Sequence, residues 1–367
     1  MNKTIKSALA ILLTLAVVLT CAVSAFAAAF TFNQNTLATV VTVSDYQDDG
    51  TNMSERFVNI LTKMKNDGLT DPDSLLMGGD FSKVWPDYAT IRMMELKDNY
   101  LSVFPNENKE SVICVQGNHD IDNPGLVKTG FYDMGAYCLY AINENDFQWN
   151  QFLRTSSKVE KLAKDVDAKL TAMIESGDKR PVIVITHVPL HHTDRTLYGD
   201  NKYASYLFNV LNKAGEKLDI VFLFGHNHSS GYDDYIGGSV NLLKEGDTIR
   251  IPKPDAIGEN CYTEEKLTFT YANCGYVGYS GNSTENGSTN ILTVGAIEIT
   301  EDTLRLVKYS ENGFYRADTI ERKAPCSTVN EVKEYPAIQN PALAQLDMLI
   351  ANFLVKVFGW LLALTSY

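Results

Sequence analysis

Cysteine is scarce in this chain, with six in 367 residues, and no two are spaced as Cys-x-x-Cys. That spacing failure excludes a zinc ribbon. Positive charge is also in short supply. The 32 Lys and Arg face 45 Asp and Glu, for a net charge of −13. No basic patch stands out, so nucleic acid finds no electrostatic footprint here. Internal repeats and low-complexity tracts are absent.

Long apolar runs are confined to the two ends. Lys3 and Lys6 precede an apolar stretch over 8–18, and Ala25-Phe26-Ala27 supplies the small residues a signal peptidase needs. The expectation is a signal peptide over 1–27 and a secreted or extracytoplasmic protein, peripheral to a membrane at most. The run is short for a span, and Thr20 stands where a lipoprotein site at Cys21 wants Gly or Ala. Beyond the leader remain Cys114, Cys138, Cys261, Cys274 and Cys326, an odd number that rules out complete internal pairing. Cys114 lies in an apolar run and reads as an inert core thiol. Cys261 and Cys274 flank an apolar segment in a loop-rich region and are expected to form a disulfide. At the other end, residues 342–367 read as an apolar helix. Asn352 and Lys356, four apart, share one face of it. A span would place Lys356 near mid-membrane at a cost of about 2.5–3.5 kcal/mol. A narrow polar stripe of this kind points to packing or self-association, or to contact with a membrane surface.

Between the ends, apolar runs of strand length alternate with helical spacing. Strands are expected at 38–43, 74–77, 112–115, 137–142, 181–186 and 219–224, and helices near 57–66, 88–104, 146–176 and 203–214. Such alternation implies an α/β core. Residues 229–290, rich in Gly, Ser, Asn and Tyr, read as a loop-rich insertion. Residues 291–299 and 304–309 read as a closing hairpin, and 322–341, polar with two prolines, as a linker.

All six histidines fall in three places: His119 in GNHD, then His187, His191 and His192 in THVPLHH, then His226 and His228 in FGHNH. Each group follows an apolar run. Asp45 and Asp80 follow two more. Five strand ends carrying Asp, Asn or His form a metal-site constellation. Its mixed nitrogen and oxygen ligands suit Mn, Fe, Zn or Ni better than Ca. An acidic protein repels phosphate-bearing substrates at long range, so attraction for them would have to come from local cations such as bound metals. A calcium loop starting at Asp45 fails, because its third and twelfth positions are Gln47 and Arg56. A metallo-β-lactamase pattern fails as well, since Ser229-Ser230-Gly231 follows His228.

Asp45-Tyr46-Gln47, Gly79-Asp80, Gly117-Asn118-His119-Asp120, His187 and Gly225-His226-Asn227-His228 occur in order. Over residues 36–321 the chain thereby resembles the calcineurin-like metallophosphoesterases, in a secreted bacterial-type form. The resemblance implies an α/β fold, a two-sheet β-sandwich flanked by helices, with the site at the strand ends; the apolar C-terminal helix lies beyond the resembling residues. It implies two divalent metal ions. Asp45, Asp80, His228 and Gln47, standing where the family has His, would hold the first, with Asp80 bridging. Asn118, His187 and His226 would complete the second. A metal-bridging hydroxide would hydrolyse a phosphomonoester or phosphodiester, His119 would protonate the leaving oxygen or bind the phosphate, and Asp120 would orient His119. The residues after Asp80 lack the Asp and Arg of the protein Ser/Thr phosphatases. His191 and His192 are candidate substrate contacts at the rim. The alternative is a non-catalytic member that binds metal or ligand at the cell surface.

Overall fold

The computed structural model describes residues 30–47, 53–81, 89–120, 125–147, 156–192, 202–226, 242–254, 261–278, 292–332 and 334–365. The expected signal peptide lies outside them. A short N-terminal unit, Met1–Phe32, is distinct from the unit Asn33–Tyr367, and the architecture that follows belongs to the latter. In chain order its elements are β1 (Ala38–Val43), α1 (Met53–Asn66), β2 (Ser74–Met77), α2 (Ala89–Val103), β3 (Val112–Cys114), β4 (Gly130–Asp133), β5 (Cys138–Ala141), α3 (Glu144–Phe147), α4 (Ser156–Ser176), β6 (Val182–Ile185), α5 (Ala204–Gly215), β7 (Ile220–Phe224), β8 (Leu242–Leu243), β9 (Thr248–Pro252), β10 (Tyr262–Lys266), β11 (Thr270–Asn273), β12 (Gly275–Tyr276), β13 (Thr293–Ile299), β14 (Thr303–Ser310), β15 (Gly313–Glu321) and α6 (Pro341–Thr365).

Two sheets result. One has the order β15-β14-β13-β1-β2-β3, with β12 also paired to β13, and the other the order β4-β5-β6-β7-β11-β8. Within the first, β1, β2 and β3 run parallel. Within the second, β5, β6, β7 and β11 do. Every residue of β1, β2, β6 and β7 is buried, as parallel strands covered on both faces must be. Val40, Leu76, Ile113 and Ile297 of the first sheet pack with Leu139, Ile183, Val221 and Ala272 of the second. On the far side of the second sheet, Val159, Leu162 and Val166 of α4 and Leu207 and Leu211 of α5 form another layer with Val182, Val184 and Phe222. Met53, Phe57, Ile60, Leu61 and Met64 form the buried face of α1, a 3.6-residue periodicity that sets how the helix sits.

Within the loop-rich 229–290 region, expected to hold short strands, β11 enters the second sheet beside β7, with Thr270 opposite Val221. The expected disulfide is not formed, since Cys261 and Cys274 are both free. Cys274 is buried at the β11–β12 junction, close to Gly78 and Ser44, whereas Cys261 lies at the entry to β10, in a separate two-stranded sheet. Cys114 is buried, and burial pushes its thiol up to about 11.

The 322–341 segment is pinned to the body of the protein. Buried Arg322 pairs with Asp219 at 3.3 Å and donates to the carbonyls of Thr300, Glu301, Cys326 and Lys179. Further along, Lys128 N–H donates to the Ala337 carbonyl at 2.9 Å and Gln339 N–H to that of Leu126 at 2.7 Å. Then α6 buries Ala344, and its Asp347 accepts a hydrogen bond from Thr90 of α2. Leu343, Leu346, Leu349, Ile350 and Phe353 of α6 are exposed. Among the described residues no helix is long and apolar enough to cross a membrane.

Candidate metal centre

At the C-terminal ends of five parallel strands the chain turns sharply. The three non-glycine residues with positive φ among those described are Asp45 (53°), Asp80 (59°) and His226 (67°), after β1, β2 and β7. Left-handed backbone costs an L-residue energy and persists only where its surroundings over-determine it, so it clusters at functional sites. The turns are also crowded. A Cβ on Gly225 would lie 1.8 Å from Ser44 Oγ and 2.9 Å from Asp45 Oδ2, and one on Gly117 would lie 2.2 Å from Asp80 Oδ1. Only glycine lets these loops approach so closely.

Asp80, His187 and His226, all buried, present ligand atoms to one another. His187 Nε2 lies 3.2 Å from Asp80 Oδ2, 3.0 Å from Asn118 Oδ1 and 3.2 Å from His226 Nδ1, and Asn118 Oδ1 lies 2.8 Å from His226 Nδ1. Ligands held at about 2.1 Å from an ion in octahedral geometry sit about 3.0 Å apart along each edge. Two imidazole nitrogens, an amide oxygen and a carboxylate oxygen at these separations therefore fit a divalent metal. His187 Nδ1 lies 2.7 Å from the Gly78 carbonyl, to which it donates, and so Nε2 faces the other ligands. Orientation by a second hydrogen bond is usual for a metal-ligating imidazole. Burial alone would depress the His187 pKa, but Asp80, with smaller help from Asp45 and Glu144, carries it up to about 10. The ring is thus held in a concentration of negative charge that a cation would neutralise.

Asp80 makes full use of both oxygens. Oδ1 accepts the His119 N–H at 2.9 Å, and Oδ2 accepts Gln47 Nε2 at 2.7 Å. Asp45 Oδ2 accepts the His226 N–H at 3.1 Å. The structure thus brings Asp45, Gln47, Asp80, Asn118, His187 and His226 together. His228 lies outside the described residues. His119 is exposed beside Asn118. Asp120 is buried, and its carboxylate accepts the N–H groups of Asp80 (2.7 Å), Phe81 (2.8 Å) and Gly117 (2.8 Å). The expectation that it orients the His119 ring is therefore revised: its bonds clamp the two loops to each other, and its influence on His119 passes through the backbone. Burial and the neighbouring Asp80 charge push the Asp120 pKa up.

His191 and His192 are both buried. His191 packs edge-on against the stacked Phe224 and Tyr271 rings, with Nδ1 2.8 Å from the Tyr271 hydroxyl. His192 N–H donates to the Arg250 carbonyl at 2.7 Å and its ring lies 5.4 Å from that of Tyr262. Sequence reasoning missed the Gly78 carbonyl, which sets the His187 ring, and Gly278. A Cβ on Gly278 would lie 2.2 Å from the Asp45 carbonyl and 2.5 Å from Gln47 N and O. The Gly78-Gly79 doublet was a readable signal for the first. Gly278 stands in no motif, and neither does Glu144, whose charge acts on His187.

Among solved structures the chain is similar to a dimetal phosphatase from Danio rerio, at 11% identity over 79% of this chain and 100% of that one, with a TM-score of 0.47. It is also similar to GAP50, the anchor in the inner membrane complex of Plasmodium, at 14% identity over 85% and 93%, TM-score 0.45. A third likeness is to zinc-complexed Vps29 from Entamoeba histolytica, at 11% identity over 77% and 98%, TM-score 0.34. No curated protein matches the chain. The family model of calcineurin-like phosphoesterases matches residues 38–230. That match takes in more than half of the sequence and all the described ligand candidates, and the chain belongs to the calcineurin-like phosphoesterase family.

Proposed function

We propose that the protein hydrolyses phosphomonoesters or phosphodiesters outside the cytoplasm, using divalent metal held by Asp80, Asn118, His187 and His226. The observation that carries this reading is the set of ligand atoms 2.8–3.2 Å apart at those four residues. Mn, Fe, Zn and Ni all suit the mixed donors. When bound, the metal supplies positive charge for the phosphoryl oxygens and a water acidic enough to serve as nucleophile. The protein's own contribution is placement. Asp120 fixes the Asp80 and Gly117 loops, Gly78 sets the His187 ring, and the His119 backbone is tied to Asp80 Oδ1. His119, exposed on its loop, would donate a proton to the leaving oxygen. Export is supported by Lys3, Lys6, the apolar 8–18 stretch and Ala25-Phe26-Ala27.

The test uses purified protein, Mn²⁺ and a panel of phosphomonoesters and diesters. Asp80→Asn should lower turnover by roughly 100-fold or more, in the range seen when a transition-state charge contact is lost, and chelator should do the same to the natural chain. Undiminished turnover in either case overturns the proposal. Bound Mn²⁺ without turnover on any ester overturns the enzymatic reading in favour of a metal-binding member of the family.

A further inference from the structure

The two oxygens of Asp80 are not equally available. Oδ1 is committed to the His119 N–H, and Oδ2 both faces His187 Nε2 and accepts Gln47 Nε2 at 2.7 Å. A carboxylate oxygen offers about two lone-pair directions. Oδ2 already has two neighbours, His187 Nε2 at 3.2 Å on the side where the metal ligands converge and Gln47 Nε2 at 2.7 Å. Only the NH₂ end of the Gln47 amide can sit that close to a carboxylate oxygen, because two acceptors would repel. The end of Gln47 presented to Asp80 is therefore a donor, which no cation can use. Its backbone is also hemmed in: a Cβ on Gly278 would overlap Gln47 N and O, and Gln47 is 2% exposed. For a second ion to share Oδ2, this amide must leave its bond and turn its oxygen inward. Even then it offers a weaker ligand than imidazole to a borderline metal.

We infer that the metal centre is unequal by construction: the Asp80–Asn118–His187–His226 position binds tightly, and Gln47 holds the neighbouring position at least tenfold weaker by hydrogen-bonding the carboxylate oxygen the two would share. The inference rests on the reading that the four residues hold a metal. It differs from the pair of occupied sites that the family resemblance implies.

The experiment is a Mn²⁺ titration of the metal-free full-length protein, followed by calorimetry and by low-temperature electron paramagnetic resonance. The natural chain should take up a single tight equivalent with the six-line signal of an isolated Mn²⁺ ion. Gln47→His should take up a second at comparable affinity, and its spectrum should become that of an exchange-coupled pair. Gln47→Glu, which offers an anionic oxygen instead of a donor, should also gain the second equivalent and guards against misfolding of the histidine variant. Two equivalents of equal affinity in the natural chain, with a coupled spectrum, overturn this inference and leave the metal site intact. A single equivalent in both folded variants overturns it too. No uptake by the natural chain overturns the metal site itself, and with it the proposed function.

Discussion

The two sheets make different contributions to the same site. The first, through the ends of β1, β2 and β3, supplies oxygen and amide groups: Asp45, Gln47, Asp80 and Asn118. The second, through the ends of β6 and β7, supplies imidazoles: His187 and His226. Neither sheet alone carries a ligand set for a borderline metal. The site exists only where the sheets are packed together, so residues that touch across the seam govern it as surely as the ligands do. The first sheet also arranges its groups mainly through the Asp120 clamp, while the second relies on close backbone approach at Gly225 and on the Gly78 carbonyl reached across the seam.

The largest effect on this division is expected from Gly225→Ala. The substitution removes no ligand, but its Cβ would collide with Ser44 Oγ and press on Asp45 Oδ2. Overpacking of this kind costs roughly 1–3 kcal/mol. Moving β1 away from β7 should weaken Mn²⁺ binding at least tenfold, as measured by calorimetry. Unchanged affinity would mean that the seam does not set the ligand spacing.

A change of opposite sign is expected at Lys308. It lies on β14 of the first sheet, fully buried, and its Nζ donates to the Asn273 carbonyl at the end of β11 in the second, at 2.6 Å. Burial pulls its pKa down to about 7. Between there and the usual lysine value near 10.4, the unfolded chain holds a proton that the folded chain has lost. This residue's contribution to stability therefore rises with pH across that window, and its full penalty applies below about 7. Lys308→Met should raise stability near pH 7 by about 2 kcal/mol, after allowing for the lost hydrogen bond, and should flatten the rise between pH 7 and 10. Denaturant unfolding across that range decides it, and an unaltered slope would show that another group titrates.

The smallest effect on the site is expected from removing 342–367. The helix α6 touches α2 through Asp347, which accepts from Thr90, and its described residues offer no ligand. Its exposed Leu343, Leu346, Ile350 and Phe353 recur at three- and four-residue steps, the spacing of a seam between helices. We propose self-association through this face. Hydrolysis by the truncated chain should stay within about twofold of the full chain, a free-energy change below about 0.5 kcal/mol, while sizing chromatography should show a smaller species. Loss of hydrolysis would place α6 in the working core. An unshifted size together with lost binding to lipid vesicles would assign the face to a membrane surface.

Much of this arrangement was legible in the sequence, for a physical reason. The strands that bear the site are continuous apolar runs, and polar side chains appear where each run stops. Other elements carried no such contrast. In β11, Thr270-Tyr271-Ala272-Asn273 is short and mixed, and only its pairing with β7 makes it a central strand. In β15 Arg316, Asp318 and Glu321 interrupt any apolar run, and the strand lies at an edge with one neighbouring strand. Gln47 was legible as a site residue but not in its orientation, because an amide offers a donor and an acceptor and its neighbour decides which end faces inward. The left-handed turns at Asp45, Asp80 and His226 were hidden too, since neither Asp nor His announces positive φ as Gly does.

The Asp120 clamp also shapes how mutational data on the site will combine. Because a single carboxylate holds Asp80, Phe81 and Gly117 by their backbones, the two loops cannot be perturbed separately. Once Asp120 is replaced, both are already loosened, and a further change in either has less left to disturb. A double-mutant cycle pairing Asp120→Asn with a substitution in the Gly117 loop should sum to less than its parts, as coupled neighbours do. Single substitutions read as contributions of individual residues would then count the same interaction twice.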